Sequence, residues 1–283
     1  MEFASKTLAK GFAFPEGPRW HDGKFIFSDQ HDGDVITLAA DGTVSNRLKV
    51  PGGPSGTGWL PNGDLLVASM EEHKLFRLSG GRLSMHADLS KVHHFHSNDM
   101  VVDAKGNVYV GNIGFNPYAG EERRTTVIAL VRPDGSVSVA ADDLMIPNGT
   151  VITADGKRLV VAESFGERLT QFDINADGTL ANRRLFAALP SHLPDGICID
   201  AEDAIWVASC ASHSAIRVKE GGEITDSVPL AGESNTYACM LGGPDRRDLY
   251  LCVADSFDPT KTRDLRSGRI DIARVTVPGA GWP

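Results

Sequence analysis

The sequence has no long apolar run. No stretch approaches the ~18 consecutive apolar residues of a membrane-spanning helix, and the opening MEFASKTLAKGF has no apolar core of a secretory leader. These absences predict a cytoplasmic protein with no membrane partner. Positive charge is also short. With 28 Lys and Arg against 37 Asp and Glu, the net charge is -9, whereas a nucleic-acid surface must neutralise phosphates. Cysteine is scarce, and the four residues at 198, 210, 239 and 252 lack CxxC spacing. They read as reduced strand residues, not as a zinc site or a disulfide frame. No GxSxG elbow occurs, which counts against a serine hydrolase. Heptads and amphipathic crossover helices are missing too, which disfavours coiled coils and parallel α/β folds.

What the chain does have is turns and repetition. Thirty glycines and fifteen prolines are spread along it, as many short strands require. One phrase recurs: an anchor, an apolar strand, an Asp-Gly-like turn and a second strand ending in small residues. It reads PEGPRWHDGKFIFSD from Pro15, PSGTGWLPNGDLLVAS from Pro54 and SNDMVVDAKGNVYVGN from Ser97. It continues as PNGTVITADGKRLVVAES from Pro147, PDGICIDAEDAIWVAS from Pro194 and, more weakly, TYACMLGGPDRRDLYLCVAD from Thr236. Aligned on Gly17, Gly56, Asp99, Gly149, Gly196 and Ala238, the copies lie 39, 43, 50, 47 and 42 positions apart. That period is the period of four-stranded propeller blades. The reading is an all-β, six-bladed β-propeller with four-stranded antiparallel blades, one domain over residues 1–283. The first dozen residues are expected to close the ring as a strand beside RIDIARVTV. Trp20, Trp59 and Trp206 are expected between blades.

In a propeller the innermost strand of each blade lines the central channel, so equivalent residues converge on one axial spot. The middle residues of the six anchors are Glu16, Ser55, Asn98, Asn148, Asp195 and Tyr237. All carry oxygen, and two are carboxylates that repel one another when brought together out of water. One divalent cation resolves that conflict. Carboxylate and amide oxygens suit Ca²⁺ first, with Mg²⁺ or Mn²⁺ next, and the absence of Cys from the set disfavours a zinc-selective cage.

The same residues carry a resemblance. FPEGPRW, SNDMVVDAKGNVYVG, IPNGTVITADGKRLVVAES and LPDGICIDAEDAIWVAS resemble the senescence-marker-protein (regucalcin)/gluconolactonase family of six-bladed propellers, from about Phe14 to Asp255. The resemblance implies metal ligands at Glu16, Asn148 and Asp195, with Asn98 contacting substrate, and it adds Zn²⁺ to the possible cations. It implies Asp195 as the general base or water-orienting residue, and hydrolysis of a lactone as the activity. Related activities it allows are cleavage of organophosphorus esters on the same metal, or calcium binding without turnover. Two positions depart from the sugar-lactonase pattern. His96 stands where those members carry arginine, and Asn116 falls near their sugar-binding glutamate. With Tyr237, these are the candidate substrate contacts, and the departures suggest a lactone or ester with fewer hydroxyls. Met70, Asn112, Phe165 and Cys210, and the long connection from Gly114 to Arg124, are further candidates around the mouth.

Overall fold

The structure is a computed structural model that describes residues 1–281; Trp282 and Pro283, which the single-domain reading included, lie outside the described residues. Six four-stranded antiparallel sheets form. The innermost strands are Pro15–His21, Pro54–Trp59, Ser97–Val102, Pro147–Ile152, Pro194–Ile199 and Asn235–Gly242. They are the six repeats read from the sequence. Four of them start at proline, which lacks an N–H and is tolerated at the first residue of a strand.

The inner strands are buried on both faces, and successive side chains alternate between the two seams with the two-residue period of a pleated strand. In the fourth blade, Val151 packs toward the fifth and Ile152 toward the third. In the fifth, Ile197 and Ile199 face the fourth blade and Cys198 faces the sixth. The core therefore has one large cluster in each of the six seams between neighbouring blades, with a small further cluster of Phe14, Tyr237 and Ala254. Trp206 is fully buried in such a seam. Trp20 and Trp59 are only half-buried, Trp59 lying flat on His21 at 3.9 Å between ring centroids.

The ring closes through the N-terminus. Ser5–Phe12 forms the outermost strand of the sixth blade, pairing with Gly268–Arg274 from Ser5 opposite Ala273 to Phe12 opposite Gly268. Phe12 then packs among first-blade and sixth-blade side chains.

Each innermost strand is irregular at the same place. Its register with the second strand slips between Glu16 and Arg19, Pro54 and Thr57, Ser97 and Met100, Pro147 and Thr150, Pro194 and Ile197, and Thr236 and Ala238. A bulge bends the strand and re-aims the side chains beside it. Here it turns the anchor residues toward the channel. Backbones crowd at that level: a Cβ on Gly17 would lie 2.6 Å from the Ser55 carbonyl oxygen, and one on Gly149 would lie 2.5 Å from that of Asp195.

Candidate metal centre

The bulges place Glu16, Asn148 and Asp195 at the second position of the innermost strands of the first, fourth and fifth blades, where all three are buried. Glu16 accepts a hydrogen bond from its neighbour, Gly17 N–H, at 2.6 Å. Burial, then the charge of Asp195, pushes the Glu16 carboxyl well above its ordinary range. Burial and Asp99 push Asp195 up to about 8, against a hydrogen bond from the Asn148 side chain. The Asn148 amide also donates to Ser164 Oγ at 3.2 Å, which leaves its Oδ1 able to accept. Asn98 is half-buried and accepts from the Ser55 hydroxyl at 3.4 Å, which in turn accepts from Gln30 at 3.2 Å. Tyr237 is buried beside the pair; burial, Cys210, Asp195 and Glu16 all raise its phenol.

Sequence reasoning missed two charged neighbours. Asp99 occupies the position where the other blades have Gly or Ala. It is held by Arg19 through an ion pair at 2.9 Å, with both side chains 5% exposed. Arg19 also donates to the carbonyls of Pro18 and Met100. The pattern around Asp99 was visible in the sequence as its one charged third position, but its partner was not, because Arg19 lies eighty residues away on another blade. The charges of this buried group are three carboxylates, Glu16, Asp99 and Asp195, against one guanidinium, Arg19. With all three carboxyls ionised the group would carry two net negative charges in a site that penalises them, which is why Glu16 and Asp195 are both raised.

That balance is the test of fit for a metal. Two carboxylates raised by burial and by neighbouring charge, plus an amide oxygen, form an all-oxygen donor set suited to a hard divalent cation. Among the described residues no group of three or more His, Cys, Asp or Glu could hold an ion by itself, so the amide donors belong to any such site. The run of histidines does not add one. His93 is buried against Ser97 Oγ at 2.9 Å, while His94 is exposed.

The remaining predicted contacts divide. His96 is half-buried and stacked on Phe95 at 4.0 Å. Asn116 is committed to its own loop: its side chain caps the short turn Pro117–Ala119, accepting from Tyr118 N–H at 3.0 Å and Ala119 N–H at 3.1 Å. Asn112 is fully buried and bonds Val127 and Thr126 in its own blade. Phe165 lies under the Arg123 guanidinium at 4.0 Å, so the long third-blade connection leans toward the fourth blade. A second long connection, residues 255–267, carries the α-helix Pro259–Leu265. It was not foreseen, although Asp258 as N-cap followed by Pro259 is a helix-start signal. Thr262 Oγ1 of this helix meets His31 Nδ1 at 2.6 Å, and Arg263 donates to the His31 carbonyl at 2.8 Å.

The cavity of about 110 Å³ lined by Arg19, Trp20, Ile199 and Met240 opens at the other end of the innermost strands, away from the carboxylate pair. Converging charge is the better guide to the chemistry here.

The family described as SMP-30/Gluconolactonase/LRE-like region matches residues 14–255. The chain belongs to this family. Regucalcin of Xenopus laevis is 33% identical over 181 residues, which are 61% of this chain and 60% of that protein; the match thus spans about three-fifths of the curated relative's length. Among solved structures, a calcium-binding regucalcin from Agrobacterium tumefaciens superposes with a TM-score of 0.83 at 22% identity, covering 100% of this chain and 97% of that one. A gluconolactonase from Xanthomonas campestris gives a TM-score of 0.75 at 22% identity, covering 97% and 89%. At these identities the solved structures establish the shared fold.

Proposed function

We propose that this member of the family is a divalent-metal-dependent lactonase. The observation that carries the reading is the pair of buried carboxyls, Glu16 and Asp195, both raised by burial and by neighbouring charge, beside the side-chain amide of Asn148. Glu16, Asn148 and Asp195 would hold the ion, with Asn98 beside it. When bound, a hard cation offsets the carboxylate charges and polarises the ester carbonyl.

Asp195 then orients a water molecule and accepts one of its protons as the water oxygen bonds to the carbonyl carbon. The ring C–O bond breaks, the proton passes to the departing alkoxide, and the product is a hydroxy acid. Tyr237, beside the carboxylates, would contact the ring. Membership of the family supports the reaction class, and the all-oxygen donor set supports Ca²⁺, with Mg²⁺, Mn²⁺ or Zn²⁺ as alternatives. The second reading is a calcium-binding propeller without turnover, favoured by the calcium-binding description of the Agrobacterium neighbour.

Chelation followed by a lactone panel, with each cation restored in turn, tests this. Turnover should vanish with chelator and return with one cation, and Asp195→Asn should lose at least ~100-fold in kcat. Cation-independent turnover would overturn the reading. Tight calcium binding with no turnover of any lactone would favour the second.

A further inference from the structure

Two of the six anchors are asparagines, and the fold wires them in opposite senses. Asn98 and Asn148 both occupy the second position of an innermost strand, beside the bulge that turns that position toward the channel. An amide has an oxygen that accepts and a nitrogen that only donates, so what each residue presents depends on which end is already bonded. The Asn148 nitrogen donates to Ser164 Oγ at 3.2 Å, which leaves its oxygen over. Asn98 is the reverse case: its oxygen accepts from the Ser55 hydroxyl at 3.4 Å. Among the described residues its nitrogen has no hydrogen-bond partner. It is not one of the orphaned atoms sealed in the interior, and the side chain is only half-buried.

The direction of the Ser55 bond follows from Gln30. A hydroxyl carries one proton. Ser55 Oγ accepts from Gln30 Nε2 at 3.2 Å, so its own proton goes to Asn98 Oδ1. Ser55 and Gln30 are 2% and 8% exposed, so little water competes for either bond. Gln30 is itself anchored just past the first blade's second strand, Lys24–Asp29, where its backbone N–H donates to the Phe14 carbonyl at 3.0 Å. Its backbone carbonyl accepts from Gly33 N–H at 3.2 Å. A primary amide nitrogen does not serve a hard cation as ligand, but it can donate to a carbonyl oxygen on which negative charge grows.

Building on the lactonase reading, we propose that Gln30 is a positioning residue: through Ser55 it turns Asn98 so that the N–H2 group faces the channel, which makes Asn98 a donor to the lactone carbonyl oxygen and not a cation ligand. As the water oxygen bonds to the carbonyl carbon, the carbonyl π pair moves onto oxygen and the Asn98 N–H bonds that oxygen. The pair returns when the ring C–O bond breaks.

Two readouts test this. Calcium titration of chelated protein by calorimetry reads the ligand set without turnover, and kcat and KM for δ-valerolactone on the calcium-loaded protein read the donor. Asn98→Ala should keep calcium affinity within about threefold and lower kcat about 100-fold, with KM within about threefold. Gln30→Met has similar length and no donor; it should lower kcat about tenfold at parent-like calcium affinity, which also shows that the variant is folded. Gln30→Glu puts an acceptor where the donor stood. It draws the Ser55 proton, leaves Ser55 Oγ to accept from Asn98 and turns the Asn98 oxygen to the channel. This variant should lose about 100-fold in kcat and bind calcium about tenfold more tightly. Adding Asn98→Ala should abolish that tightening, whereas tightening from the extra charge alone would survive it. Calcium binding weakened tenfold or more by Asn98→Ala, parent-like kcat in both Gln30 variants, or tightening that survives the second substitution would refute the proposal. Turnover of no lactone would instead remove the lactonase reading. The calcium arm then decides the wiring alone: tightening by Gln30→Glu that depends on Asn98 supports it, and any other result refutes it.

Discussion

Asp195 and His31 are pushed in opposite senses by the same physical cause, loss of solvent around the charged form. Burial raises the carboxyl to about 8 and lowers the imidazole to about 4. The consequences for folding have opposite signs. Without a cation, folded Asp195 keeps a proton that the unfolded chain releases near its ordinary value of 3.8, so stability falls as pH rises through the interval up to about 8. Folded His31 refuses a proton that the unfolded chain takes up near 6.5, so stability falls as pH drops from there to about 4. Between pH 6.5 and 8 the carboxylate effect stands alone. In chelator, the melting temperature should fall across that window, by the equivalent of about 2 kcal/mol. Asp195→Asn should flatten the slope and melt higher than the parent at pH 8, because it removes one of the repelling charges. A parent that gains stability from pH 6.5 to 8 in chelator would contradict the buried, unneutralised pair. A stabilising substitution that abolishes turnover is the expected mark of a functional site held against its own electrostatics.

The bulged innermost strand is the element that makes the site. Its glycines are required by crowding between neighbouring strands: Gly149 faces the backbone of Asp195 and Ile197 on the next blade. Gly149→Ala should cost at least ~2 kcal/mol in chemical denaturation and weaken cation binding, since relief of the clash moves Asp195. Unchanged affinity in that variant would mean the strand spacing does not set the site. This level of structure was legible in the sequence because the anchor phrase repeats locally, and each copy carries its own apolar period and turn. Equivalence within that repeat singled out the six anchor residues, and the family resemblance picked Glu16, Asn148 and Asp195 from among them. The Arg19–Asp99 pair and the Phe14–His31 stack could not, because each joins side chains whose meeting depends on how blades or loops pack, not on spacing within a copy. The helix Pro259–Leu265 is a different case: Asp258 and Pro259 announced it, but it interrupts the repeat and lies in a stretch with no strand pattern.

Across the whole molecule, stability is distributed over six seams, and the proposed site sits on the axis they share. Closure of the ring depends on Ser5–Phe12, the only strand contributed to the sixth blade from the far end of the chain. Removal of residues 1–12 should bare the edge of Gly268–Arg274, lower the melting temperature by ~10 °C or more and promote aggregation. A truncated chain that melts like the parent would show that the ring does not rely on that strand. Because Glu16 and Asp195 reach the axis from different blades, an open ring should also lose the cation. The most direct test of the account is a calcium titration of chelated protein by calorimetry, run on the parent, on Asp195→Asn and on Glu16→Gln/Asp195→Asn, with lactone turnover read on the same samples. The account predicts one ion per chain in the parent, at least ~10-fold weaker binding in the single variant, and neither binding nor turnover in the double variant. Parent-like calcium affinity in the double variant, or lactone turnover without any bound ion, would contradict it.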